Sequence, residues 1–284
     1  MPAPATLITL DELHATRAAW AQEGSRVAFV PTMGALHEGH LSLVAKARTL
    51  ADRVLVSIFV NPLQFGPSED FAKYPRTLTA DLELLTSQGV EAVFLPNAAT
   101  MYPDGFQTHV TNRGMALELE GARRPGHFDG VLTVVLKLLS LVQPHVAIFG
   151  KKDYQQWRLV ERMAQDLCLP LEILGAETLR EPDGLAMSSR NRYLTDAERP
   201  VAARLHQALK AAKDAFDSGS RDAKNVAAAC QRLLEGVAGL TPEYAELRRA
   251  RDLTAFTGKM DTSAVLLVAA RVGTTRLIDN LELG

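Results

Sequence analysis

Two histidines three residues apart, His37 and His40, close the stretch Pro31-Thr32-Met33-Gly34-Ala35-Leu36-His37-Glu38-Gly39-His40. Imidazoles so spaced can donate hydrogen bonds to one anion, and their surroundings favour phosphate. The apolar run 27–30 that leads in has the length and β-branching of a buried strand. Pro31 and Gly34 are expected to break it, after which Leu41, Val44 and Ala45 fall on one helical face. A helix starting here offers unpaired N–H groups and the positive end of its dipole. His37 and His40 lie on one side of its first turn. Gly39 between them removes a side chain where a flat nucleoside can lie against the backbone. The plain alternative, surface histidines on an ordinary βα loop, is weakened by this placement between strand and helix. Metal binding is weaker still. The second histidine comes one residue early for His-Glu-x-x-His, and neither Cys168 nor Cys230 sits in a paired-ligand motif.

Further donors fall at comparable places. A second apolar strand, 53–60, makes the segment a βαβ unit of a buried parallel sheet. It ends in Asn61-Pro62-Leu63-Gln64-Phe65-Gly66. Ligands of such sheets bind beyond the carboxyl ends of the strands, so Gln64 is expected at the same crevice as the histidines. Its amide both donates and accepts, which suits a hydroxy acid; a solvated loop amide is the alternative. Strand 146–149 ends in Gly150-Lys151-Lys152-Asp153-Tyr154-Gln155-Gln156, turning Lys152, Asp153 and Gln156 to that crevice. A lysine there stabilises charge growing on a phosphate, and an aspartate takes ribose hydroxyls or supports a metal ion. Lys151 and Lys152 as a solvated pair is the weaker reading. Farther on, Met187-Ser188-Ser189-Arg190 sets two hydroxyls before an arginine, a compact set of phosphate donors, although alone it would read as a polar loop.

The elements that must position these residues are mostly periodic. Helices are expected at 10–21, with Thr9 and Glu12 as a capping box, at 78–87 and at 129–141. Strands 90–95 and 171–175 complete a five-stranded parallel sheet. Residues 68–76 read as a polar surface loop. The 97–126 stretch lacks clean periodicity and reads as a flap or an oligomer contact, with Arg123 and Arg124 in a solvated loop. Beyond 196 the composition shifts to Ala-rich helices at 198–216, begun by a Thr195–Glu198 capping box, and 222–234. Strands at 244–248, 264–272 and 275–281 follow. Helices followed by strands without alternation mark a separate small α+β domain. The expected division is 1–178 and 179–284.

Composition narrows the class. The 284 residues are 47% apolar, and 31 basic against 33 acidic side chains leave a net charge of −2. That balance argues against a nucleic-acid footprint. Two unpaired-looking cysteines suit a reducing compartment. Neither a signal peptide nor a membrane-length apolar run is seen, so a soluble cytoplasmic enzyme is expected, with no membrane and no nucleic-acid partner.

Taken in order, the motifs at 31–40, 61–66, 150–156 and 187–191 resemble the pantothenate synthetase (pantoate–β-alanine ligase) family. So do Phe128-Asp129-Gly130-Val131 and Ala270-Arg271-Val272-Gly273-Thr274-Thr275-Arg276-Leu277 near the end. The resemblance implies a Rossmann-like parallel sheet flanked by helices, in the His-x-Gly-His nucleotidyltransferase superfamily; the smaller C-terminal α+β domain is expected to act as a lid over ATP, since Met187 to Arg190 lies at its junction with the sheet domain. It implies ATP-dependent condensation of pantoate with β-alanine through pantoyl adenylate, with Mg²⁺ as cofactor and a homodimer as the assembly. It places Met33, Gly34, Ala35, Leu36, His37, Glu38, Gly39, His40, Gly150, Lys151, Lys152, Asp153, Leu179, Met187, Ser188, Ser189 and Arg190 at ATP. Gln64 and Gln156 go to pantoate, Gln64 lying also near β-alanine, and His40 becomes the candidate proton donor. His37, His40, Lys152, Ser188, Ser189 and Arg190 form the expected catalytic set. One departure stands out: the family commonly has Gly-Glu-Lys-Asp where this chain has Gly150-Lys151-Lys152-Asp153. The rivals are another nucleotidyltransferase with a different acceptor, a class I aminoacyl-tRNA synthetase, and a nucleotide-binding regulator without turnover.

Overall fold

The computed structural model describes residues 2–67 and 69–284; Met1 and Ser68, the latter within the expected 68–76 loop, lie outside the described residues. The first part of the chain runs β1 (Ala5–Leu7), α1 (Leu10–Gln22), β2 (Val27–Thr32), α2 (Glu38–Arg48), β3 (Arg53–Ile58) and α3 (Leu78–Ser87). It continues through β4 (Ala92–Phe94), α4 (Ala98–Met101), α5 (Glu120–Arg123), α6 (His127–Val142), β5 (Val146–Gly150), α7 (Tyr154–Asp166) and β6 (Glu172–Ala176). All six strands pair in parallel, in the order β1-β4-β3-β2-β5-β6. The chain moves outward from β2 through β3 and β4, then crosses to lay β5 and β6 on the other side. The order therefore reverses between β2 and β5, the kind of switch point beyond whose carboxyl ends ligands of open parallel sheets bind.

Alternation along the strands builds the two layers. Ala28, Val30, Val54, Val56, Val146 and Ile148 form a core with Leu43, Val44 and Ala47 of α2 and Leu85 of α3. Phe29 and Leu55, one residue out of phase, are fully buried on the opposite face. Thr9 caps α1 as expected, accepting from Glu12 N (3.2 Å) while the Glu12 carboxylate accepts from Thr9 N (2.9 Å).

Four expectations change in this part of the chain. Strand β2 continues through Pro31 and Thr32, because its pairing with β5 ends at Phe29 and a missing N–H is tolerated beyond that point. The sheet has a sixth strand, β1, too short to show a period. The 68–76 loop is less polar than its composition: Tyr74 is buried, and Phe65 packs on Phe71 and Tyr74 with ring centroids 5.3 and 5.9 Å apart. Arg124 is not solvated; its side chain is only 16% exposed and pairs with Glu69.

The second part contains α8 (Arg199–Ala202), α9 (Arg204–Asp217), α10 (Ala223–Leu234), and an antiparallel sheet of β7 (Leu240–Arg249), β8 (Ala264–Val272) and β9 (Thr275–Leu283) in the order β7-β8-β9. The expected 198–216 helix is divided at Ala203, although the Thr195–Glu198 capping box forms. Leu205, Leu209, Val226, Leu266 and Val268 form its core. Two compact units result: Met1–Lys151 with Gln156–Glu177, and Lys152–Gln155 with Thr178–Gly284. Residues 152–155 join the smaller unit because β9 holds them. Asn280 Nδ2 donates to the Lys152 carbonyl (2.9 Å), and the Tyr154 hydroxyl donates to Glu282 Oε1 (2.8 Å).

Candidate functional site

In the larger unit the β2–α2 turn is built around a buried carboxylate that sequence reading missed. Asp81, on the inward side of α3, accepts from Ala35 N (2.9 Å), Leu36 N (2.8 Å) and Thr77 Oγ1 (3.1 Å). Gly34 and Ala35 both have positive φ, and a Cβ on Gly34 would come within 3.0 Å of Asp81 Oδ2 and Ile58 Cγ2. Glycine is required there. The available signal was a charge at the i−4 position from Leu85, on the apolar face of a helix.

The histidines themselves open α2. His37 is the N-cap, its Nδ1 accepting from Gly39 N at 3.1 Å, and His40 Nδ1 accepts in return from His37 N at 3.3 Å. This is a capping box made of imidazoles. Because each Nδ1 is an acceptor, each ring proton sits on Nε2. The rings lie 4.1 Å apart, tilted by 47°. Two Nε2–H donors thus sit together at a helix N-terminus, as the spacing implied.

Beyond β3, residues 62–64 form a single 3₁₀ turn capped by Asn61. Buried Asn61 accepts from Leu63 N (3.3 Å) and from the Tyr102 hydroxyl (2.6 Å), and its Nδ2 donates to Gln64 Oε1 and to Gly130 O, both at 3.1 Å. Burial pushes the Tyr102 phenol upward, which keeps it a donor. Gln64 Nε2 reaches Met33 Sδ at 3.1 Å, so the expected amide and the Met33 turn are brought together. Gly130 of α6 lies so close that a Cβ would sit 2.1 Å from the Leu63 carbonyl oxygen.

After β5, the Lys151 side chain is engaged within the larger unit. Its ammonium meets Glu177 Oε1 at 2.6 Å and lies 5.6 Å from the Trp157 ring centroid. The charge that departs from the family pattern is therefore neutralised within the unit. Gly150 ends β5, and Gln156 is half-buried in the first turn of α7.

In the smaller unit, Lys152 Nζ lies 3.8 Å from Asp153 Oδ1. Leu179 and Met187 face each other across a short hairpin, Met187 N donating to Leu179 O at 3.0 Å. Ser188 then caps the 3₁₀ turn Ser189–Tyr193, its Oγ accepting from Arg190 N at 3.3 Å. A hydroxyl that accepts in this way can still donate its own proton to a ligand oxygen. Asn191 anchors the turn to Glu181 Oε1 (2.7 Å) and Ala186 O (3.1 Å). Glu181 and Asp183 both bind Arg199, which those hydrogen bonds hold well above its ordinary range.

Among the described residues no group of three or more His, Cys, Asp or Glu stands ready to hold a metal ion, and no helix is long and apolar enough to cross a membrane. The half-exposed Asp153 carboxylate is the kind of single ligand that suits Mg²⁺ arriving on nucleotide phosphates.

Residues 5–282 match the family model described as pantoate-beta-alanine ligase. A pantothenate synthetase of Myxococcus xanthus is 51% identical over 284 residues, 99% of this chain and 97% of that one. One from Xanthomonas oryzae is 52% identical, covering 98% and 99%. Among solved structures, pantothenate synthetase from Thermus thermophilus superposes with a TM-score of 0.92 at 45% identity, covering 98% of both chains. Pantoate-beta-alanine ligase from Francisella tularensis, complexed with beta-gamma ATP and beta-alanine, gives 0.80 at 35%, covering 98% and 97%. With its sheet order, its paired histidines and these relatives in agreement, the chain belongs to the pantoate–β-alanine ligase family.

Proposed function

We propose that the chain uses ATP to join pantoate to β-alanine in two steps, with roles divided among the residues above. First, a pantoate carboxylate oxygen attacks the α-phosphorus, forming the acyl–O–P bond as pyrophosphate leaves. The β-alanine amine then attacks the acyl carbon, forming the amide as AMP leaves with the broken C–O bond's electrons and the amine gives up a proton. A carboxylate is already ionised at neutral pH, so adenylation needs no general base. It needs positioning and stabilisation of growing charge.

The observation that carries this reading is the imidazole capping box: two Nε2–H donors at a helix N-terminus, at the carboxyl end of the central strand. His37 and His40 donate to phosphate oxygens, with His40 as proton donor. Lys152, Ser188, Ser189 and Arg190 stabilise charge on the α-phosphate and the leaving pyrophosphate. The 33–40 turn, Gly150, Asp153, Leu179 and Met187 hold the nucleotide, with Lys151 contributing through its backbone. Gln64 and Gln156 bind pantoate. Asp153 is the residue that would hold Mg²⁺, which would supply neutralisation of the polyphosphate charge. The active assembly is a homodimer, to be checked as twice the 30.9 kDa chain mass by light scattering.

The test is AMP formation from ATP, Mg²⁺ and D-pantoate with and without β-alanine. AMP appearing only with both acids, in step with pantothenate, is the expected result. Lys152→Ala should lower the pre-steady-state rate of pyrophosphate release roughly 10²–10³-fold, as loss of one oxyanion donor does; release at the wild-type rate removes Lys152 from adenylation.

A further inference from the structure

The stretch from Gln64 to Gly66 is gripped from outside by three side chains that the reaction itself does not call upon. Arg124 binds Glu69 through one edge of its guanidinium, Nε to Oε1 at 2.6 Å and Nη2 to Oε2 at 2.7 Å. Glu69 Oε2 also accepts from Gly66 N at 3.2 Å. The other arm of Arg124 reaches His127 Nε2 at 2.9 Å, and Nη2 lies 3.4 Å from the Gln64 carbonyl. Since a guanidinium only donates, His127 Nε2 accepts and the ring proton is on Nδ1. That Nδ1 sits 2.8 Å from the same Gln64 carbonyl and donates to it. The ring is thus fixed as a neutral relay between a cation and a backbone oxygen. Arg124 and Glu69 are 16% and 24% exposed, so the fork pair is shielded from competing water.

We propose that Glu69, Arg124 and His127 form a clamp that positions Gln64 for the hydroxy-acid substrate, and that they set the affinity for that substrate without touching it. The clamp fixes the Gln64 backbone from one side while Asn61 and Met33 fix its amide from the other. With both ends held, the amide is presented in one orientation before substrate arrives, which lowers the ordering cost of binding. This inference rests on the proposal that Gln64 contacts pantoate.

The experiment is a double-mutant cycle of His127→Phe, which keeps a ring but loses both hydrogen bonds, with Gln64→Ala. Glu69→Gln, which preserves shape and weakens the fork, serves as a second single variant. Steady-state KM values for D-pantoate and for ATP are measured together with Tm. The expected result is a ~10–100-fold rise in the pantoate KM for His127→Phe, the scale of a small misplacement. Glu69→Gln should move it in the same direction. The ATP KM stays within about twofold, and the double variant is no worse than Gln64→Ala alone. A merely structural role would raise both KM values as Tm falls, and that result overturns the clamp. So does an unchanged pantoate KM in both single variants, or full additivity in the double. If Gln64→Ala itself leaves the pantoate KM unchanged, the substrate role of Gln64 falls first and the clamp with it.

Discussion

His127 shows how a single side chain takes its chemistry from its surroundings. Burial lowers its pKa to about 4; the charge of Arg124 acts the same way, against the Gln64 carbonyl, Glu120 and Glu69, which favour the cation. Burial alone would raise the Glu69 carboxyl, yet hydrogen bonding to Arg124 and its charge hold it below the ordinary range. An unfolded histidine titrates near 6.5. Its folded value lies lower, so between those values the unfolded chain binds the extra proton. The contribution to stability is complete above about pH 6.5 and is lost as pH falls toward 4, by up to about 1.4 kcal/mol per pH unit. Urea unfolding of wild type and His127→Phe between pH 7.5 and about 4.5 isolates this group from the other titrations. The wild-type curve is expected to fall more steeply below 6.5, and parallel curves would refute the assignment. At this scale the sequence was readable where partners are local. His37 and His40 cap one turn, and their place on one side of the helix start follows from spacing. Asp81 was not readable, because the amides it holds lie at Ala35 and Leu36 and only the folded sheet brings them together.

Periodic elements were legible and short or aperiodic ones were not. The spacing gives α3 to the residue and α1 and α6 to within a few residues, because each buries one stripe against the sheet. Strand β1 has three residues and one buried side chain, too little for any pattern. The stretch before α6 hides its order in Arg124 and in the left-handed Gly126, which read as loop residues from composition alone. Element packing also explains Gly130. In an exposed helix, alanine is favoured over glycine by about 1 kcal/mol. Here the added Cβ would meet the Leu63 carbonyl at 2.1 Å, so the 62–64 turn or α6 must move. Gly130→Ala is therefore expected to destabilise by about 1–3 kcal/mol despite its better propensity, and to raise the pantoate KM by displacing Gln64. A variant as stable as wild type in urea, with unchanged KM, would show that the turn yields freely.

At the scale of the whole molecule, charge decides between the ligase and its nearest mechanistic relatives. A class I synthetase must hold a polyanion many phosphates long, whereas a pantoate-activating enzyme meets one triphosphate. Affinity for the first kind of partner comes from basic side chains that replace counterions, and each contact steepens the fall of binding with salt. This chain carries 31 basic and 33 acidic side chains. Many of the arginines are already committed within their own unit: Arg124 to Glu69, Arg180 to Asp279, Arg199 to Glu181 and Asp183, Arg249 to Asp261, and Arg276 to Glu243. Freeing one of these for a phosphate would strand a carboxylate, and for the nearly buried Asp279 that cost is severe. The chain should therefore fail to retain transfer RNA on a filter at about 50 mM salt, while its turnover of ATP and pantoate persists at about 200 mM, where a contact set of six to ten phosphates loses ~10³–10⁵ in affinity. Saturable retention that weakens steeply with salt would instead reveal a basic surface that the pairing pattern does not supply, and would reopen the synthetase reading.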